Sequence, residues 1–173
     1  MIPVIINKAS VEDLETLQSI GKHTFYETFA ASNSKEAMEK YLEESFSAEK
    51  IKGEINNPDS LFFIAWENDD PIGYLKVNSG STQTELKDDT ALEIERIYVK
   101  SSHHGKKVGQ LLYDKALEIA EQRKKAYLWL GVWEENPRAV NFYKKNGFVE
   151  FDKHIFRLGD DEQTDLMMKK VLD

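Results

Sequence analysis

At 173 residues, 40% hydrophobic and 11% aromatic, the chain is long enough to bury one core and too short for two large domains, so a single domain over 1–173 is expected. Its net charge of −8 argues against a general nucleic-acid partner, because affinity for phosphate backbones comes from lysine and arginine releasing counterions; a cationic partner fits better. Zero cysteines exclude disulfides, thiolate metal sites and a cysteine nucleophile.

In chain order, MIPVIINKAS lacks the charged start and small-residue cleavage site of a signal peptide, and no later apolar run reaches the roughly eighteen residues of a membrane span. The chain therefore reads as cytoplasmic, with no membrane partner. A short strand is expected near Pro3–Asn7, then a helix from Val11, because Ser10 with Asp13 three residues on resembles a capping box. Leu14, Leu17, Ile20, Thr24 and Phe25 continue at helical spacing, and Ser34 is placed to cap a second helix bearing Met38, Tyr41 and Leu42. Two or three helices thus precede the main sheet. Leu61–Trp66 and Pro71–Asn78 read as a β-hairpin across ENDDP, and the polar stretch Ser79–Asp89 as a loop free to move.

Ala91–Lys100, ALEIERIYVK, alternates until Ile97, Tyr98 and Val99 break the pattern, which predicts a bulge there. After the turn SSHHGKKVG, residues Val108, Leu111, Leu112, Ala116, Ile119 and Ala120 form one apolar helix face. A buried strand follows from about Ala126 to Trp133. Asn136, Pro137 and Gly147 mark the start and end of a helix over Pro137–Asn146. Strands near Phe148–Phe156 and Asp165–Val171 finish the chain.

Charge is uneven along this order: residues 11–60 carry eleven acids and five bases, whereas residues 101–125 carry three acids and six bases. A solvated acidic surface accounts for the first of these without any function. His103 and His104 are adjacent, so their side chains diverge, and no third ligand stands at metal-binding spacing; no metal is expected. A strand, a glycine-bearing turn and a helix form a unit that often binds anions on its outward amides, but a Gly/Lys-rich turn such as HHGKKVG is by itself more often a solvated turn than a phosphate site, and it is not a P-loop.

The second motif, ENPRAVNFYKKNGF at Glu135–Phe148, changes that balance, because Asn136, Ala139, Phe142, Tyr143, Lys145, Gly147 and Phe148 resemble a signature of the GNAT family of acyl-CoA-dependent N-acetyltransferases. The family's pyrophosphate loop reads Q/R-x-x-G-x-G/A. His104-Gly105-Lys106-Lys107-Val108-Gly109 is similar to it, with His104 for Gln or Arg and Lys107 for the first glycine. TFYETF, LEIERIYV, WLGVWE and GDDEQTDLMM further resemble the PaiA-type spermidine/spermine N-acetyltransferases, over essentially the whole chain.

The resemblance implies an α/β fold of one domain, with a mixed, mostly antiparallel sheet whose central strands splay between helical layers. It implies acetyl-CoA as co-substrate, with the pantetheine arm along Ile97, Tyr98 and Val99, the diphosphate on His104, Gly105, Lys106, Lys107, Val108, Gly109 and Gln110, and further contacts at Asn136 and Lys145. Lys107 is expected to enter the helix in a right-handed conformation, its side chain turned towards the phosphates. Direct transfer to an amine needs a base for the ammonium proton and a donor for the leaving thiolate. Glu95 and then Glu93 are the candidates for the first role, two apart on one strand face; Tyr143 matches the family's tyrosine for the second. Tyr26 and Glu27 lie where this fold places its acceptor groove. Spermidine or spermine is the expected acceptor, against another amine such as a protein amino terminus or a small drug, and against a non-catalytic acyl-CoA sensor. Many relatives are homodimers, and no apolar patch in the sequence decides that state.

Overall fold

Most helix starts in the computed structural model, which describes residues 2–173, are fixed by a side chain that the sequence supplies. Ser10 and Asp13 form the reciprocal capping box over a 3₁₀ turn at Val11–Asp13, and α1 (Leu14–Phe29) continues from it. Ser34 Oγ accepts from the Ala37 amide at 3.1 Å to start α2 (Lys35–Ser45), and Ser47 Oγ from Lys50 at 3.2 Å to start α3 (Ala48–Ile55). Three helices therefore precede the hairpin. After the main strands come α4 (Val108–Gln122) and α5 (Pro137–Lys145), the latter capped by Asn136 with Pro137 in its first turn.

Seven strands form one sheet: β1 (Val4–Lys8), β2 (Ser60–Glu67), β3 (Asp70–Asn78), β4 (Ala91–Val99), β5 (Tyr127–Trp133), β6 (Val149–Leu158) and β7 (Asp161–Val171). Their order is β1-β2-β3-β4-β5-β7-β6, and only β4 and β5 run parallel. This is the α/β architecture with a mixed, mostly antiparallel sheet. The parallel pair is short. It joins Ala91–Glu93 to Tyr127–Trp129 and stops, so β4 beyond Glu93 and β5 beyond Trp129 diverge in the middle of the sheet.

Helices cover both faces. Leu92, Ile94, Leu128 and Leu130 pack with Val108, Leu112, Ala116 and Val140 of α4 and α5, while Ile64 and Tyr74 pack with Leu17, Ile20, Phe25 and Phe46 on the face of α1 to α3. The bulge on β4 lies earlier than the pattern suggests. Val77 pairs with Ile94 and Lys76 with Arg96, leaving Glu95 as the extra residue. Ile97 and Val99 consequently join Leu92 and Ile94 on the α4 side, and Glu93, Glu95, Arg96 and Tyr98 turn to the α1 to α3 side.

Three expectations are corrected. Leu111 is 41% exposed and lies off the buried face of α4. The polar stretch after β3 is a loop, as expected, but is tethered rather than free, because Gln83 is buried and accepts from the Trp129 indole at 2.7 Å while donating to Gly80 and Asp88. The last hairpin also reaches further than expected, since β6 and β7 pair out to Leu158 and Asp161 around Gly159 at φ +62°.

Candidate active site

The turn before α4 contains two left-handed residues, Gly105 at φ +78° and Lys107 at φ +65°. The expectation of a right-handed Lys107 is therefore wrong. A left-handed backbone is one that glycine adopts without steric cost, and it is the conformation that carries the chain into the first turn of α4. No side chain caps α4, so the amides of Val108, Gly109 and Gln110 lack intrahelical partners and form an anion-binding end. A Cβ on Gly109 would meet only Val99 Cγ2 at 4.0 Å, so the protein itself leaves that surface open to a ligand's close approach. Lys106 and Lys107 are exposed beside it.

His104 Nε2 lies 2.8 Å from the Val99 carbonyl, and because a carbonyl only accepts, this nitrogen carries the proton. The Val99 carbonyl is thus engaged by the loop. Ile97 and Tyr98 lie past the last β4–β5 pair, on the stretch of β4 that faces the gap. The site fits a long, anionic, chain-like molecule: separated strands for the arm and bare amides for the diphosphate.

On the opposite face, the bulge gathers a buried polar network. Lys76 Nζ is 2.7 Å from Glu95 Oε1 and 3.2 Å from Glu54 Oε1, and Asn78 Nδ2 donates to both Glu93 and Glu95 at 2.9 and 2.8 Å. Arg96 Nε stands 3.4 Å from Glu95 and its guanidinium lies over the Phe46 ring. Burial acts to raise the Glu95 carboxyl, but Arg96 and Lys76 outweigh it and hold the group below its usual range. Glu93, 3% exposed, behaves oppositely. Burial raises it even though Thr84 donates to it from both backbone and hydroxyl. Glu95 also lines a cavity of about 460 Å³ with Glu49, Glu54, Lys50 and Lys76, between α3 and the ends of β2 and β3.

The remaining candidates divide. Tyr143 is 7% exposed, packed edge-on to Phe142 and Phe148, and burial pushes its phenol well above the usual tyrosine range. Asn136 caps α5 through the Ala139 amide, and Lys145 is exposed in the last turn of that helix. Glu27 does not reach the cavity. Its carboxylate accepts from the amide and hydroxyl of Ser101 and thereby ties α1 to the chain leaving β4, while Tyr26 is 55% exposed beside it. Sequence reasoning missed Lys76, Asn78 and Glu54. The signal was present for the first two, since the strand PIGYLKVN sets polar residues two apart among apolar ones, which points them to one face.

A model described as the acetyltransferase (GNAT) family matches residues 22–148. An uncharacterized N-acetyltransferase in the pepI 3′ region of Lactobacillus delbrueckii subsp. lactis is 41% identical over 172 residues, covering 99% of each chain. A spermidine N(1)-acetyltransferase of Thermoplasma acidophilum is 30% identical over 169 residues, covering 95% of each. The crystal structure of the PaiA N-acetyltransferase from Thermoplasma acidophilum in complex with coenzyme A superimposes with a TM-score of 0.82 at 29% identity, covering 98% of this chain and 99% of that one. Coenzyme A is the molecule bound in that related structure. The chain therefore belongs to the acetyltransferase (GNAT) family and is an acetyl-CoA-dependent N-acetyltransferase.

Proposed function

We propose that the acceptor is a polyamine, spermidine or spermine, whose ammonium groups enter from the face of α1 to α3. The observation that carries this reading is the cavity beside Glu95, which offers three carboxylates, Glu49, Glu54 and Glu95, against the ammonium groups of Lys50 and Lys76. The likeness to the Thermoplasma spermidine enzyme supports it. In this reading Glu95, kept ionised by its neighbours, draws the reacting ammonium to the strand gap. Acetyl-CoA supplies an activated acetyl group from the other side. Tyr143, kept neutral by burial, is the proton donor to the departing thiolate.

The testing experiment is acetyl-CoA turnover with spermine, spermidine, monoamines, a peptide amino terminus and an aminoglycoside. A kcat/KM for the polyamines at least about tenfold above the others is expected, corresponding to about 1.4 kcal/mol of added transition-state binding. Equal or better turnover of the peptide or the drug assigns the cavity to that acceptor instead. Tyr143→Phe should keep acetyl-CoA affinity and lower kcat by about 100-fold in single-turnover measurements, whereas unchanged kcat would make Tyr143 a packing residue.

A further inference from the structure

On the face of α1 to α3, β5 presents Trp129, Gly131 and Trp133 in alternation, and the neighbouring strands continue that face through Asp165, in register with Trp133, and His154, in register with Asp165. Gly131 is exposed although β5 is a central strand. A Cβ at Gly131 would stand 3.7 Å from Asp165 Oδ2 and 3.8 Å from His154 Cε1, so the missing side chain leaves a slot walled by those two residues. The slot begins two residues past Trp129, where β5 has parted from β4.

Behind Asp165, His154 Nε2 lies 3.8 Å away, and His154 Nδ1 stands 2.9 Å from Glu85 Oε1. From α2, the buried Tyr41 phenol is raised above its usual range by burial first, with the charges of Glu95 and Asp165 adding to the rise. The groups facing Asp165 are thus His154 from β6, Glu85 from the connection between β3 and β4, and Tyr41 from α2.

We propose that Asp165, backed by His154 and Glu85, takes the proton from the acceptor ammonium as it crosses Gly131 towards the thioester. The inference rests on the amine-acetyltransferase reading. Glu93 receives three hydrogen bonds and Glu95 two, so each already has a structural occupation. Asp165 receives none among the described residues, and burial pushes its carboxyl up to about 6, with His154 opposing and Glu85 adding to the rise. A carboxylate of that basicity is matched to proton transfer near neutral pH. In the step, one ammonium proton passes to Asp165 and the freed nitrogen bonds to the carbonyl carbon. The C–S bond then breaks, and the nitrogen's second surplus proton ends on the thiolate by way of Tyr143.

The test is the pH dependence of kcat/KM for spermidine, from about pH 5 to 9, in the whole chain and its variants. The wild-type profile should rise with a midpoint near the value of about 6 given by Asp165. Asp165→Asn should lose about 100-fold and flatten the rise while keeping its thermal shift with acetyl-CoA. His154→Gln should move the rise to higher pH and Glu85→Gln to lower pH, because the imidazole lowers and the carboxylate raises Asp165. Gly131→Ala, whose methyl meets only ordinary contacts, should keep the melting temperature and raise KM. Activity of Asp165→Asn within about threefold of wild type on the same profile overturns the proposal. Shifts of one sign in His154→Gln and Glu85→Gln overturn it too, and those two variants decide the matter should Asp165→Asn not fold. A wild-type chain that binds acetyl-CoA but acetylates no amine fails differently, by removing the reading on which the inference rests.

Discussion

Lys107 holds a left-handed backbone at φ +65°, a conformation that costs a residue with a Cβ about 1–2 kcal/mol and costs glycine almost nothing. Glycine also gives up more entropy on folding, by about 0.5–1 kcal/mol, so Lys107→Gly should raise stability by only about 0.5–1 kcal/mol, visible as a higher melting temperature. A lower melting temperature would show that the lysine side chain contributes more than its backbone costs. Glu95 carries the opposite kind of consequence. Its folded carboxyl titrates below the unfolded one, so its contribution is present above the ordinary glutamate range and is lost as pH falls through the depressed folded value. Denaturant midpoints measured down that acid limb should fall more steeply in the wild type than in Glu95→Gln. At neutral pH the same variant should cost about 3 kcal/mol, because it leaves the buried Arg96 and Lys76 short of a partner. Pairing it with Lys76→Met should cost less than the two singles added, a coupling that shows whether the network or the acid itself matters.

Individual elements were legible to different degrees, for physical reasons. Helices started by Ser10, Ser34 and Asn136 declare themselves because a cap is a local device, complete within four residues. α3 went unnamed although Ser47 caps it, since eight residues show too few turns of periodicity. The bulge on β4 was expected from the broken alternation of ALEIERIYVK, but its place at Glu95 was not, because two-residue periodicity shows that a parity change occurs and only the partner strand shows where. Lys76 and Asn78 acquired their roles in the same way, through pairing with a distant strand. The connection Ser79–Asp89 was misjudged as loose because its composition is polar, while its order comes from Gln83 and Thr84 reaching Trp129 and Glu93, contacts that no local pattern contains. Gln83→Ala should accordingly destabilise the fold by about 1–3 kcal/mol, since the buried Trp129 indole loses its acceptor. Hydrogen exchange would show that loss concentrated in residues 79–90, and an unchanged exchange pattern there would return the segment to an ordinary solvated loop.

The uneven charge along the sequence becomes a separation of faces at the scale of the whole molecule. The acidic segment 11–60 folds into α1 to α3 on one face of the sheet, and α4, which opens from the basic turn with Lys106 and Lys107, packs on the other. On the polyamine reading proposed above, a polyanionic acyl carrier and a polycationic acceptor would approach opposite faces and meet through the gap between β4 and β5. If that separation steers the acceptor, spermine and spermidine should exceed a monoamine of equal length in kcat/KM at low salt, because their distal ammonium groups find carboxylates on the α2 and α3 side. The advantage should shrink as salt approaches about 0.5 M, where the screening length falls to several ångströms, with a remainder surviving from the partly enclosed cavity at Glu54 and Glu95. On the same reading, removing Glu49 should mainly raise KM for polyamines and leave monoamines unchanged, since it is one of the cavity's carboxylates and none of the residues proposed for the chemical step. The decisive comparison is the ratio of the two kcat/KM values against ionic strength: a polyamine preference that stays flat from low to high salt would replace charge with shape as its cause, and no preference even at low salt would remove the polyamine from the reading altogether.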